Sequence, residues 1–91
     1  MAKKRERLEV IYDILTVIRE NNNSIKHTPL LRFSNLSLVR FSSYYDELIE
    51  KKFIKELYDK KDKKFITLTD KGFKYLEKYK LIVQFVDDLE L

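Results

Sequence analysis

TPLLRFSNLSLVRFSSYYDELIEKKFIKELYDKKDKKFITLTDKG, residues 28–72, holds two helix starts nine residues apart, followed by two β-prone runs around a lysine-rich loop. Thr28-Pro29 sets a capping hydroxyl before a proline at the first helical position, which predicts a short helix through Leu30, Leu31 and Arg32. Ser34-Asn35-Leu36 interrupts it after roughly two turns with residues that favour turns. Ser37 then offers a second capping oxygen ahead of LVRFSSYYDELIEKK, a run without Gly or Pro. A sharp corner between two helices is expected at Asn35. FIKELY (53–58) and KFITL (64–68) are rich in aromatic and β-branched residues and flank DKKDK, which predicts a hairpin. Its loop is longer than a two-residue turn and lacks Gly, so its tip is expected to be mobile.

Upstream, from about Arg5 to Asn21, Leu8, Ile11, Leu15 and Ile18 recur at the period of one helix face, and Val10, Ile14 and Val17 widen the stripe. Asn21-Asn22-Asn23-Ser24 should end this helix, because Asn tolerates left-handed backbone and competes for local hydrogen bonds. Downstream, Thr69 should cap a helix from Asp70 that continues almost to the last residue. Helix, corner, helix and hairpin in this order describe a mainly α fold with a small β-hairpin: a winged helix-turn-helix with an extended C-terminal helix, as one domain over residues 1–91. Such a long helix outreaches a small domain. Part of its apolar surface should close the core against the first helix, and Tyr75, Tyr79, Ile82, Phe85, Val86 and Leu89 are the candidate residues by which its 70–90 stretch would pair two-fold with a second copy as a homodimer coiled coil.

Composition narrows the function classes. With 44% hydrophobic and 37% charged residues, one Gly and one Pro, the chain is too apolar for disorder and too poor in turn formers for a sandwich. It has no cysteine, which removes disulfides and thiolate metal sites. MAKKRER could open a signal peptide, but Glu9 and Asp13 break the apolar stretch behind it, and no run matches a membrane span. A cytoplasmic, nucleoid-associated protein is the expectation. The net charge is +4, and its distribution matters more: residues 1–9 and 59–64 each net +2, whereas the last eleven residues net −3 before the terminal carboxylate. A basic tip and an acidic tail suit a domain that meets a polyanion on one side.

RLEVIYDIL, KHTPLLRFSNLSLVRFSSYYDELIEKKFI and FITLTDKGFKYLEKY resemble the small archaeal winged-helix proteins described as chromatin-associated or as transcriptional regulators. The resemblance covers nearly the whole chain and includes Leu36-Ser37 at the second helix start and Leu68-Thr69-Asp70-Lys71-Gly72 after the wing. It implies double-stranded DNA as partner and a long C-terminal helix that pairs antiparallel. Lys52 stands where the family usually has a glycine, between the recognition helix and the wing strand.

Within the recognition helix, Phe41, Tyr44, Tyr45 and Leu48 share one side and, with Leu36, should pack on the first helix. Ser37, Leu38, Val39, Arg40, Ser42 and Ser43 are then the candidate contacts for a major groove. Only Arg40 among them pairs bidentately with guanine, so a preference for A·T-rich or deformable DNA is expected over strict readout. Lys60, Lys61, Lys63 and Lys64 on the wing are candidate phosphate contacts, and Lys3, Lys4, Arg5 and Arg7 a candidate N-terminal arm. An enzyme is not expected. His27 precedes a helix cap, Asp87 and Asp88 diverge by about 100° on a helix, and neither a metal-ligand cluster nor a glycine-rich phosphate loop is present. No cofactor, small-molecule ligand or membrane partner is implied. The rival reading is a winged helix used as a protein-interaction module without DNA binding.

Overall fold

A computed structural model of the chain describes residues 2–89, with side chains from residue 6 onward, so Lys3, Lys4 and Arg5 of the candidate arm have side chains outside the described residues. The order is α1 (Ala2–Glu20), α2 (His27–Ser34), α3 (Leu38–Glu50), β1 (Ile54–Tyr58), β2 (Lys64–Leu68) and α4 (Asp70–Asp88). This is the mainly α architecture with one antiparallel hairpin that the sequence predicts. The strands pair from Ile54 opposite Leu68 to Tyr58 opposite Lys64.

α1 is the spine of the molecule. Ile14, Leu15 and Ile18 are fully buried on its inner face and meet Leu30 of α2, Phe41 and Leu48 of α3, and Ile54 and Ile66 of the hairpin in one core. The helix stops where the asparagines stand, and Asn22 and Asn23 both take left-handed backbone, φ 60° and 57°. The Asn23 side chain then accepts the Leu68 N–H at 2.7 Å, tying the end of α1 to β2. Ile25 forms a one-residue antiparallel bridge with Ile66 through hydrogen bonds of 3.1 and 2.8 Å, a third strand in miniature that nothing in the sequence pattern announces.

α2 corrects one detail. It begins one residue before Thr28, with Lys26 at the N-cap and no side-chain cap bond, so Thr28 and Pro29 occupy the second and third helical positions. Proline is tolerated there because the first-turn N–H groups have no intrahelical partner. The corner itself is as expected. Asn35 closes α2 in left-handed backbone, φ 58°, and Ser37 caps α3 by accepting the Arg40 N–H at 3.2 Å.

At the other end of α3, Lys52 takes φ 64°, the left-handed shape normally left to glycine. Its N–H bonds to the Ile49 carbonyl at 3.1 Å and that of Phe53 to the Leu48 carbonyl at 2.9 Å, the paired closure of a Schellman motif. The cap survives the loss of the usual glycine at the cost of strain. Thr69 caps α4 by accepting the Gly72 N–H at 3.2 Å, and its hydroxyl donates to the Lys52 carbonyl at 2.5 Å. Gly72 is required at this junction: a Cβ there would lie 2.3 Å from the Phe53 carbonyl oxygen.

α4 runs beside α1 in the same direction, with the Tyr75 hydroxyl donating to the Leu8 carbonyl at 2.7 Å and Tyr79 stacked on Tyr12 at 4.0 Å. Of the side chains assigned above to a dimer face, Tyr75 and Tyr79 are therefore engaged within the chain, Ile82 is half-buried and Val86 is buried. Among the α4 residues left bare, Leu81 (67% exposed), Phe85 (64%) and Leu89 (50%) follow one another at steps of four along a single stripe.

Ion pairs fasten α1 to α3. Arg7 binds Glu47, which also takes Lys51 at 2.8 Å. These hydrogen bonds, Arg7 first and Lys51 second, lower the Glu47 pKa from 4.5 to about 2. A lowered folded-state pKa contributes stability that is present above pH 4.5 and is lost as pH falls toward 2. Glu47→Gln is expected to lower stability at neutral pH by about 1 kcal/mol and to flatten that acid limb, read by urea unfolding at several pH values. Lys52→Gly is expected to raise the urea midpoint at unchanged slope, a gain of about 1 kcal/mol from relief of the left-handed lysine.

Candidate nucleic-acid interface

The corner at Asn35 leaves the amino end of α3 in solvent. Ser37, Leu38, Val39, Arg40 and Ser43 are exposed and Ser42 is half-buried, so the six candidate groove residues do lie together on the first two turns. Successive residues turn by about 100° around a helix. With Phe41, Tyr45 and Leu48 inward, Val39, Ser43, Asp46 and Glu50 point most directly outward. Val39 is 81% exposed. Arg40 sits on the flank beside α1, where its guanidinium meets Glu6 at 3.2 Å. The outward face thus presents hydroxyls and an apolar group first and carboxylates further on, with no cation at its centre.

Arg7, the one side chain of the candidate arm that is described, is paired with Glu47 of α3 while 43% of its side chain stays exposed. Its pKa is raised, by the Glu47 hydrogen bond above all.

The wing supplies the cations. Lys60, Lys61 and Lys63 are exposed at its tip, and none of them is in an ion pair among the described residues. Their loop is bonded, not open. The Asp59 carboxylate accepts the N–H groups of Lys61 and Lys63 at 2.8 and 2.9 Å, the Asp59 N–H donates to the Lys63 carbonyl at 3.0 Å, and Asp62 supplies the left-handed residue, φ 60°. Asp59 thus organises a tip that, being long and without glycine, is expected from sequence to be mobile. Lys64 differs from its neighbours: it is half-buried and its ammonium lies 3.3 Å from Glu56.

Three features are not visible in the sequence pattern. Glu56 accepts a hydrogen bond from the Tyr45 hydroxyl, joining wing to recognition helix. Its signal lies in the alternation of β1, which puts Glu56 on the same side as buried Ile54. Lys26, set beside the hairpin by the Ile25 bridge, holds its ammonium 5.7 Å from the Phe65 ring centre. Tyr58 and Leu57 are exposed next to the tip lysines, and Phe33, Leu38 and Val39 leave an apolar surface around the corner. His27 serves packing, its ring edge-on to Phe41 and Tyr45 at 5.2 Å each. No helix is long and apolar enough to cross a membrane among the described residues.

A family model described as winged helix-turn-helix matches residues 4–86. No curated protein matches the chain. Among solved structures, Sso10a-2, a DNA-binding protein from Sulfolobus solfataricus, is similar at a TM-score of 0.67 and 19% identity over 91% of this chain and 83% of that one. A MarR-family transcriptional regulator from Silicibacter pomeroyi reaches the same TM-score at 14% identity over 97% of this chain, which spans only 62% of that protein. At these identities the likenesses speak for the fold, and they agree with the order of elements and with the family resemblance read from the residues. With four helices among the described residues, the corner at Asn35 and the Asp59-closed hairpin in place, the chain belongs to the winged helix-turn-helix family.

Proposed function

We propose that the protein binds double-stranded DNA, with the first two turns of α3 in the major groove and the wing on the phosphate backbone, as a transcriptional regulator or an architectural chromatin protein. The observation that carries this reading is the pairing, on one molecule, of an exposed α3 amino end with a closed hairpin tip bearing three lysines outside any ion pair among the described residues. The description of the Sulfolobus neighbour as DNA-binding supports it. Ser37, Ser42 and Ser43 would meet phosphates or base edges, and Leu38 and Val39 thymine methyl groups. Arg40, held by Glu6 on the α1 flank, contributes to guanine readout only after leaving that partner. Asp46 and Glu50 repel phosphate and confine binding to the start of the helix. The sum favours backbone attraction and DNA deformability over strict base reading.

The second reading, a protein-interaction module, is favoured by the exposed Phe33, Leu38 and Val39 at the corner. A gel-shift series on random and A·T-rich duplexes at two salt concentrations separates the two. Salt-sensitive binding supports DNA, and no binding at low salt leaves the protein module. Lys60→Ala with Lys61→Ala is expected to weaken all duplexes alike and to make the salt slope shallower by about 0.9 for each phosphate that the variant no longer neutralises.

The homodimer belongs to the same proposal, on a face that keeps Phe85 and Leu89 of the six residues expected from sequence and adds Leu81. Tyr75 and Tyr79 are spent on α1, so the pairing surface we assign is the exposed Leu81, Phe85 and Leu89 stripe of α4. Leu81→Glu with Phe85→Glu should halve the mass measured by light scattering while leaving the far-UV circular dichroism intact. A wild-type mass of one chain at working concentration removes the dimer.

A further inference from the structure

Glu56 stands at the middle of β1 on the side of the hairpin turned toward α3, between buried Ile54 and exposed Tyr58. Its carboxylate accepts the Tyr45 hydroxyl from α3 and receives the Lys64 ammonium from β2 at 3.3 Å. Among the described residues this is the one side-chain hydrogen bond between α3 and the hairpin. The Tyr45 ring is fixed from behind, tilted on Phe41 at 5.7 Å and edge-on to His27 at 5.2 Å, so the hydroxyl is presented by a rigid support. Burial, with the carboxylate second, raises the Tyr45 pKa, and the Tyr45 bond is the largest cause lowering that of Glu56. The link therefore joins a hydroxyl that stays protonated to a carboxylate that stays charged, the stronger kind of hydrogen bond.

The base of the hairpin is held by backbone bonds at Phe53, and its tip begins at Asp59. β2 is already held halfway along, where Ile66, the partner of Glu56 in the ladder, bridges to Ile25. The Tyr45–Glu56 bond gives β1 its own attachment at that level, to α3 itself, and so sets the angle at which the tip stands off α3. That angle decides whether three tip lysines and the α3 amino end can reach one duplex together, because misplacement of positioned charges by about 1 Å is felt.

We propose that Tyr45 and Glu56 are positioning residues for DNA binding: their bond sets the wing against the recognition helix, so that Lys60, Lys61 and Lys63 reach phosphates flanking the groove that α3 enters. The inference rests on the DNA-binding reading above. Glu56 also neutralises Lys64, which places that lysine in the support of the wing and leaves phosphate binding to the three tip lysines.

The test uses the full chain and a random-sequence duplex, with Kd measured across a salt series. Tyr45→Phe keeps the ring and removes the hydroxyl. It should weaken binding several-fold, make the salt slope shallower by about 0.9 for each phosphate the wing no longer reaches, and lose most of its effect in the Lys60→Ala/Lys61→Ala background, where Lys63 alone remains on the tip. Glu56→Leu and Glu56→Gln are equal in charge and differ in whether an acceptor oxygen remains, so Glu56→Gln should bind more tightly, with the steeper slope. Thermal melts check that each variant is folded. A wild-type slope in Tyr45→Phe, a loss that adds in full to that of the wing double variant, or equal binding by the two Glu56 variants overturns the positioning role while leaving DNA binding intact. Absence of binding by the wild-type chain at low salt instead refutes the DNA-binding reading, and the positioning role with it.

Discussion

One carbonyl, that of Phe53, holds three elements together. Its oxygen accepts the backbone N–H of Thr69 and the Thr69 hydroxyl, both at 3.1 Å, and it lies so close to Gly72 that no side chain fits between. The first strand of the wing, the end of the second strand and the first turn of α4 therefore meet at a single point. The Thr69 hydroxyl has a single proton, which the Phe53 and Lys52 carbonyls share at 3.1 and 2.5 Å, so the junction gathers both carbonyls onto one side chain. The chain's only glycine stands where backbone must touch backbone. Because α4 in turn lies along α1 through Tyr75 and Tyr79, the base of the wing cannot loosen without disturbing the spine of the molecule.

The same economy governs the charges. Arg7 and Arg40, on α1 and α3, face acidic partners on the opposite helix: Arg7 with Glu47, and Arg40 with Glu6. These crossed pairs tie α3 to α1 and give two guanidinium groups acidic partners, while 43% and 51% of the two arginine side chains stay exposed. What remains outside is segregated: hydroxyls and aliphatic groups at the start of α3, carboxylates along its later turns, and ammonium groups at the far end of the hairpin. Exposed pairs of this kind contribute little to stability one by one. Their effect lies in where they leave the remaining charges.

Much of this is legible in the residues. Asn35, Ser37 and Thr69 carry turn and cap chemistry that acts locally, so the corner and both helix starts follow from neighbours a few positions away. The hairpin follows from two runs rich in aromatic and β-branched residues around a polar loop. What escapes a sequence depends on distant partners. The Ile25 bridge is a single residue with no period to betray it. The face of α4 that turns inward is set by Tyr12 and Leu8, each sixty-seven residues from its partner, and the apolar residues on that helix are too many for spacing alone to choose between faces. Arg40 looks free in sequence because Glu6 belongs to another helix. Thr28-Pro29 misleads by two positions, since proline suits any place in a first turn.

Lys52 and Asp62 show two ways of turning without glycine, one strained by a long side chain and one suited to a short polar residue that tolerates the left-handed shape. The loop that Asp62 completes has a thermodynamic corollary. Residues 59–63 are already closed by the Asp59 carboxylate and by two backbone bonds. Freezing a flexible backbone costs about 1–2 kcal/mol per residue. Across this loop that entropy is surrendered when the chain folds, so any surface that docks on the tip meets a preorganised shape and association keeps more of its enthalpy as affinity.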